Sequence, residues 1–200
     1  MIRVNDLDVR ELKNLENMLG SLNVVMGDNP SKTTERTKVV MRALNRTGDM
    51  ARTRVVRALA RQTGLSQKII RKAVKVKKAS WRDLEYVIRS KGGEVSLKYF
   101  KKRETDDGVR AWLGEGRGED WFPESFFRGG RWPRPRRDAP KLRGHVFSRR
   151  GGRTDLELIK SGVFIGEEMI TGASAQAFNE VTREVLPRRL EHEINRALGL

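Results

Sequence analysis

The sequence contains no cysteine and only two histidines, His145 and His192, far apart in the chain. Disulfides and thiolate metal sites are therefore excluded, and little is left from which to build a transition-metal centre. No apolar run approaches the roughly 20 residues that span a bilayer. The opening MIRVNDLDVR lacks the basic-then-apolar order of a signal peptide. Neither export by that route nor a membrane anchor is expected, and a cytoplasmic setting is the default. Acidic residues are scarce where they would matter most: residues 31–80 hold fifteen Lys and Arg against two Asp and Glu.

What is present is cationic and unevenly placed. The chain of 200 residues carries a formal charge of +16, yet residues 1–30 and 151–200 are each slightly acidic. A block as basic as residues 31–80 repels itself unless an anion lies beside it in the working state. The expected neighbour is nucleic acid or an acidic protein surface, and composition does not choose between them. With 37% hydrophobic residues the chain suits one compact domain, or two small ones, with a modest core.

Periodicity predicts an α+β fold. A short strand at MIRVNDL precedes a small helix with Leu12, Leu15, Leu19 and Leu22 on one face, capped by Asp8 and ended at Gly20. Asn29-Pro30 opens a long helix over Ser31–Gln62. On it Val40, Leu44, Thr47, Ala51, Val55 and Ala58 form a narrow stripe of small apolar residues, suited to packing on a neighbouring element or another subunit. After Gly64 and a short helix near Ser66–Ala73, segments Asp83–Arg89 and Val95–Phe100 read as a hairpin around Gly92-Gly93. Val109–Leu113 and His145–Ser148 are weaker strand candidates. Gly114–Gly144, with Pro123, Pro133, Pro135 and Pro140, reads as a long irregular loop. Ala173–Leu198 closes the chain as a helix that Pro187 is expected to kink or break. The whole is read as a single domain over 1–200. It comprises an N-terminal strand and helix (1–30), a polybasic helical segment (31–80), a small, mostly antiparallel sheet with its loop (81–150) and a C-terminal helical part (151–200).

The stretch LARQTGLSQKIIRKAV, Leu59–Val74, has the outline of a DNA-reading helix-turn-helix: small Ala60, a turn at Gly64, interior Leu65 and Ile70, and outward Gln67, Lys68, Arg71 and Lys72. The plainer reading is a helix ending at a C′ glycine, followed by a corner. Two features favour it: the first helix would be the tail of a far longer one, and a basic strand follows the second at once.

The candidate contacts to DNA or an acidic partner are Arg42, Arg46, Arg52, Arg54, Arg57, Arg61, Lys68, Arg71, Lys72, Lys75, Lys77 and Lys78. The candidate subunit interface comprises Val40, Leu44, Val55, Trp121, Phe126, Phe127 and Trp132, because aromatics beside arginine suit buried contact patches. Trp112 and Phe122 share that reading, with a local core under the loop as the alternative. The run RGGRWPRPRR can also stack bases through Trp132 or simply order against a neighbour. No catalytic constellation emerges. Glu191, His192 and Glu193 are consecutive and diverge on a helix, and GEGRG at Gly114–Gly118 lacks the lysine and hydroxyl of a phosphate loop. Neither an enzyme nor a cofactor is expected.

In their order along the chain, ALNRTGDMARTRVVRALARQTGLSQKIIRKAVKVKKAS (Ala43–Ser80), GGRW (Gly129–Trp132), GHVFSRRG (Gly144–Gly151) and LPRRLEHEINRAL (Leu186–Leu198) resemble the minor tail protein Z family of lambda-like phages and prophages. The resemblance implies a virion structural protein acting in tail completion, at the head-proximal end or in the neck through which DNA passes. It implies an α+β fold, other tail or neck proteins as partners, and no catalytic residues; the narrow apolar stripe and the aromatic loop add the expectation that copies of the chain assemble through them. The rival is a helix-turn-helix regulator built on residues 59–74.

Overall fold

A computed structural model of the chain describes residues 2–3, 30–130, 136–152 and 155–199, with side chains from residue 35 onward. The expected helix around Leu12–Leu22 lies outside the described residues, as does Trp132. The order is β1 (Ile2–Arg3), α1 (Pro30–Thr63), α2 (Gln67–Ala73), β2 (Val74–Lys77), β3 (Val87–Ser90), β4 (Lys101–Glu104), β5 (Gly108–Trp112), β6 (Glu119–Pro123), β7 (Ser125–Phe126), β8 (Arg128–Gly129), β9 (Arg137–Asp138), β10 (Val146–Arg149), β11 (Leu156–Ile159), α3 (Ile165–Met169) and α4 (Gly172–Leu198). The fold is α+β, with long helices near each end of the chain packed against small antiparallel sheets.

Helix α1, 34 residues and on the order of 50 Å long, is the spine. Its apolar side is broader than the narrow stripe expected. Val39, Ala43, Leu44, Thr47, Ala51, Val55, Val56, Ala58 and Leu59 are all buried. Two layers take up this width: α4 runs antiparallel along one flank, with Arg42 near Glu193 and Gln62 near Ser174, and the β1–β3–β2 sheet covers another. Helix α4 buries Phe178, Val181, Leu186 and Leu190. It runs as one helix through Pro187, which lies on the solvent side, so the expected break does not occur.

Three expectations for the middle of the chain are corrected. Strand β3 pairs with β2, Val76 facing Ile88, rather than across Gly92-Gly93. Val95–Phe100 is not a strand: Leu97 and Phe100 are buried three residues apart at a 3₁₀ turn over Leu97–Tyr99. Gly114–Gly144 is no structureless loop: among its described residues, β6 pairs along β5, β7 joins β10, and β8 pairs with β9. The remaining sheets are β4–β5–β6 and β11–β10–β7. The Val109–Leu113 and His145–Ser148 segments are the strands β5 and β10.

Candidate interaction surfaces

Gly64 is the pivot of the Leu59–Val74 stretch. It takes φ +69°, and a β-carbon there would come within 2.7 Å of the Gly114 backbone nitrogen. The loop after β5 thus closes over the end of α1, where the amides of Glu115 and Gly116 donate to the carbonyls of Arg61 and Gln62 at 3.0 and 3.3 Å. These bonds satisfy carbonyls that a helix terminus otherwise leaves open. Leu65 and Ile70 are buried as a helix-turn-helix would have them, and Gln67, Lys68, Arg71 and Lys72 are exposed. However, α2 has seven residues and runs straight into β2, so the corner is the junction of a helix and a sheet.

Gln62 ties the same end of α1 to the C-terminal helices. Its Nε2 donates to the Glu168 carbonyl and carboxylate at 3.1 and 2.7 Å, and its Oε1 accepts the Ser174 amide in the first turn of α4. Arg117 reaches Glu168 at 3.3 Å. A cavity of about 550 Å³ lies between Gln62, Arg117, Glu168 and Ala173.

The candidate cations divide into two groups. Some are engaged within the chain: Arg42 with Glu193 at 4.0 Å, Lys77 with Asp83, Lys78 with Asp49 at 2.8 Å, and Arg71 with the Gln67 amide oxygen at 3.1 Å. The half-buried Arg52 acts on Asp49 through its charge. Asp49 in turn accepts the Tyr86 hydroxyl at 2.8 Å. Burial raises the Asp49 pKa, but the Lys78 and Tyr86 hydrogen bonds and the charges of Lys78 and Arg52 outweigh it and hold the carboxyl below its ordinary value. Burial, reinforced by Asp49, pushes the Tyr86 phenol far upward.

The others are free. Arg46, Arg54, Arg57, Arg61, Lys68, Lys72 and Lys75 are exposed and make no ion pair among the described residues. Lys75 stands directly opposite Arg89 across β2 and β3, a like-charge pairing that an external anion would relieve. Arg46, Arg54, Arg57 and Arg61 follow one face of α1, bordering grooves of about 350 and 450 Å³ against α4. Glu180 and Glu184 stand on the far rim of those grooves.

The candidate interface residues are scattered. Leu44 and Val55 are buried in the chain's own core, and Val40 packs half-buried against it. The long helix presents its apolar side to α4 and the sheet. Phe126 is half-buried between the guanidinium groups of Arg136 and Arg149, and Phe127 between Lys102 and Arg128. Trp121 is 48% exposed.

Two features escaped the sequence. Glu104, buried on β4, accepts the Phe127 and Arg128 amides at 3.0 and 2.9 Å and pairs with Arg136 at 2.6 Å, tying β4 to the start of β8 and to the residue before β9. The outer face of β4–β5–β6 gathers Lys101, Arg103, Arg110, Trp112, Glu119 and Trp121. Its only local sign in the sequence was the alternation of Arg110 and Trp112 with the apolar Val109 and Ala111. Among the described residues, no group of three or more potential ligands is placed to hold a metal ion, and no helix is long and apolar enough to cross a membrane.

Residues 13–114 match the family model described as prophage minor tail protein Z. The matched region includes α1, the Gly64 corner and strands β2 to β5. No curated protein and no solved structure matches the chain.

Proposed function

Because this chain belongs to the prophage minor tail protein Z family, and so has a structural role in a phage tail, we propose that it acts in tail completion, at the head-proximal end or neck. In this reading copies of the chain assemble with one another and with other tail or neck proteins. They form in the host cytoplasm and end in the virion. The basic helix α1 lies beside the DNA that passes to the head or from it.

The observation that carries this reading is the row Arg46, Arg54, Arg57 and Arg61, exposed on one helix face without an acidic partner among the described residues. Exposed cations that form no ion pair within the fold suit phosphates that arrive from outside, and such contacts are indifferent to base sequence. The short α2 leading directly into β2 supports a structural corner over a regulator's reading helix.

The test has two parts. Particles made without this protein are expected to carry tails that fail to join heads or deliver DNA; normal joining and delivery would refute the assignment. The purified protein is expected to bind random duplex DNA weakly, with a steep salt dependence that flattens in an Arg54→Ala, Arg57→Ala, Arg61→Ala variant. Tight binding to one sequence that survives competitor DNA would instead establish the regulator.

A further inference from the structure

We propose that the outer face of the β4–β5–β6 sheet is a stacking platform for single-stranded nucleic acid, separate from the arginine row of α1. The register places six side chains on this face in two rows. Lys101, Trp112 and Glu119 stand side by side in one, and Arg103, Arg110 and Trp121 in the next. All six are exposed, while alternate residues Val109 and Ala111 point into the core.

Trp112 and Trp121 are diagonal neighbours on adjacent strands, 43% and 48% exposed. Diagonal side chains on a sheet stand roughly 7–8 Å apart. Two aromatic faces at that separation on an open sheet can each take one of two successive unstacked bases. Trp112 stands beside Gly64, its Cδ1 3.1 Å from where a Gly64 β-carbon would be.

The charges fit a phosphate backbone. Lys101, Arg103 and Arg110 surround the tryptophans, and the one acid on the face, Glu119, is bridged by Arg103 at 3.1 Å and Arg110 at 3.9 Å. Directly opposed Arg103 and Arg110 would otherwise repel. Asp106, Asp107 and Glu124, at the far end of the strands, bound the platform and confine a polyanion to the two rows. A duplex keeps its bases stacked inside and cannot use the indoles, so the face selects single strands.

Full-length protein would be titrated into short fluorescent oligothymidylate, with tryptophan emission and anisotropy read together, beside a duplex of equal length. Trp121→Ala is expected to weaken the single-strand complex roughly tenfold, with Trp121→Phe restoring most of the loss. Duplex affinity should stay unchanged. Arg103→Ala should lower the salt slope for the single strand. Trp112→Phe serves for the second ring without opening the Gly64 contact. The proposal is overturned if the wild-type protein does not bind the oligonucleotide, or binds it no better than Trp121→Ala does. It is equally overturned if Trp121→Ala abolishes self-association in sedimentation while oligonucleotide affinity is untouched, because the face is then a protein interface. The α1 arginine variants read only the duplex, so each proposal can fail alone.

Discussion

The ring of Tyr86 occupies the space where a side chain on Gly48 would begin: a β-carbon at Gly48 would lie 2.3 Å from the ring's Cγ and Cδ1. The glycine that interrupts the helical sequence pattern of α1 is the notch through which the residue before β3 reaches the helix backbone. The next residue, Asp49, then receives the tyrosine hydroxyl.

Gly48→Ala is therefore expected to destabilise the protein, although alanine favours a helix by about 1 kcal/mol over glycine. Tyr86 is fully buried and has nowhere to move, so overpacking should outweigh propensity by about 2 kcal/mol. Urea denaturation checks this, and a stabilised variant would refute the close packing.

The pair also sets a pH dependence. The depressed pKa of Asp49 contributes stability that is present above its unfolded value and lost as the pH falls through the folded value. The raised pKa of Tyr86 contributes stability that is present below about 10 and lost as the pH climbs beyond it. Denaturant midpoints should thus fall off at both ends. Asp49→Asn should flatten the acid limb and Tyr86→Phe the alkaline one; unchanged limbs in both variants would contradict the assignment.

Gly64 and Gly114 press backbone against backbone, at φ +69° and +91°. A Gly114→Ala substitution would set its β-carbon 2.2 Å from the Gln62 carbonyl oxygen, and a flexible neighbour cannot absorb that clash. A loss of about 2 kcal/mol or more is expected, with faster hydrogen exchange at the Glu115 and Gly116 amides. Full protection of those amides in the variant would refute the clasp.

Glu104→Gln should loosen the hold of β4 on Phe127, Arg128 and Arg136. The amide keeps the size but loses the charge that holds Arg136, whose side chain is largely buried. Breaking one side of such a pair costs about 3 kcal/mol. Trypsin cleavage after Arg128 or Arg136 should accelerate well before global unfolding; an unchanged digestion pattern would show that the carboxylate does not hold these residues.

Local pattern made much of this protein legible. Pro30 and Gly64 bracket α1, and the span Ser31–Gln62 differs from the observed Pro30–Thr63 by a residue at each end. The span Ala173–Leu198 differs from α4 by one residue. Misreadings arose where a partner distant in sequence decides. Val95–Phe100 alternates like a strand, yet Leu97 and Phe100 fall into the core at a turn. Glu119–Pro123 reads as loop, yet β5 supplies the ladder that makes it a strand.

The same division holds for function. The sequence by itself determined the cationic block, the two long helices, the glycine corner and the order of features shared with the tail family. Each depends on charge, periodicity or turn chemistry within a few residues. Only the tertiary structure decided which cations stay unpaired, that Leu44 and Val55 serve the core, and that Trp112 and Trp121 share an open face with Arg103 and Arg110. Those outcomes depend on which surfaces meet. Ion pairing and burial are decided by contacts across dozens of residues, which no local pattern specifies.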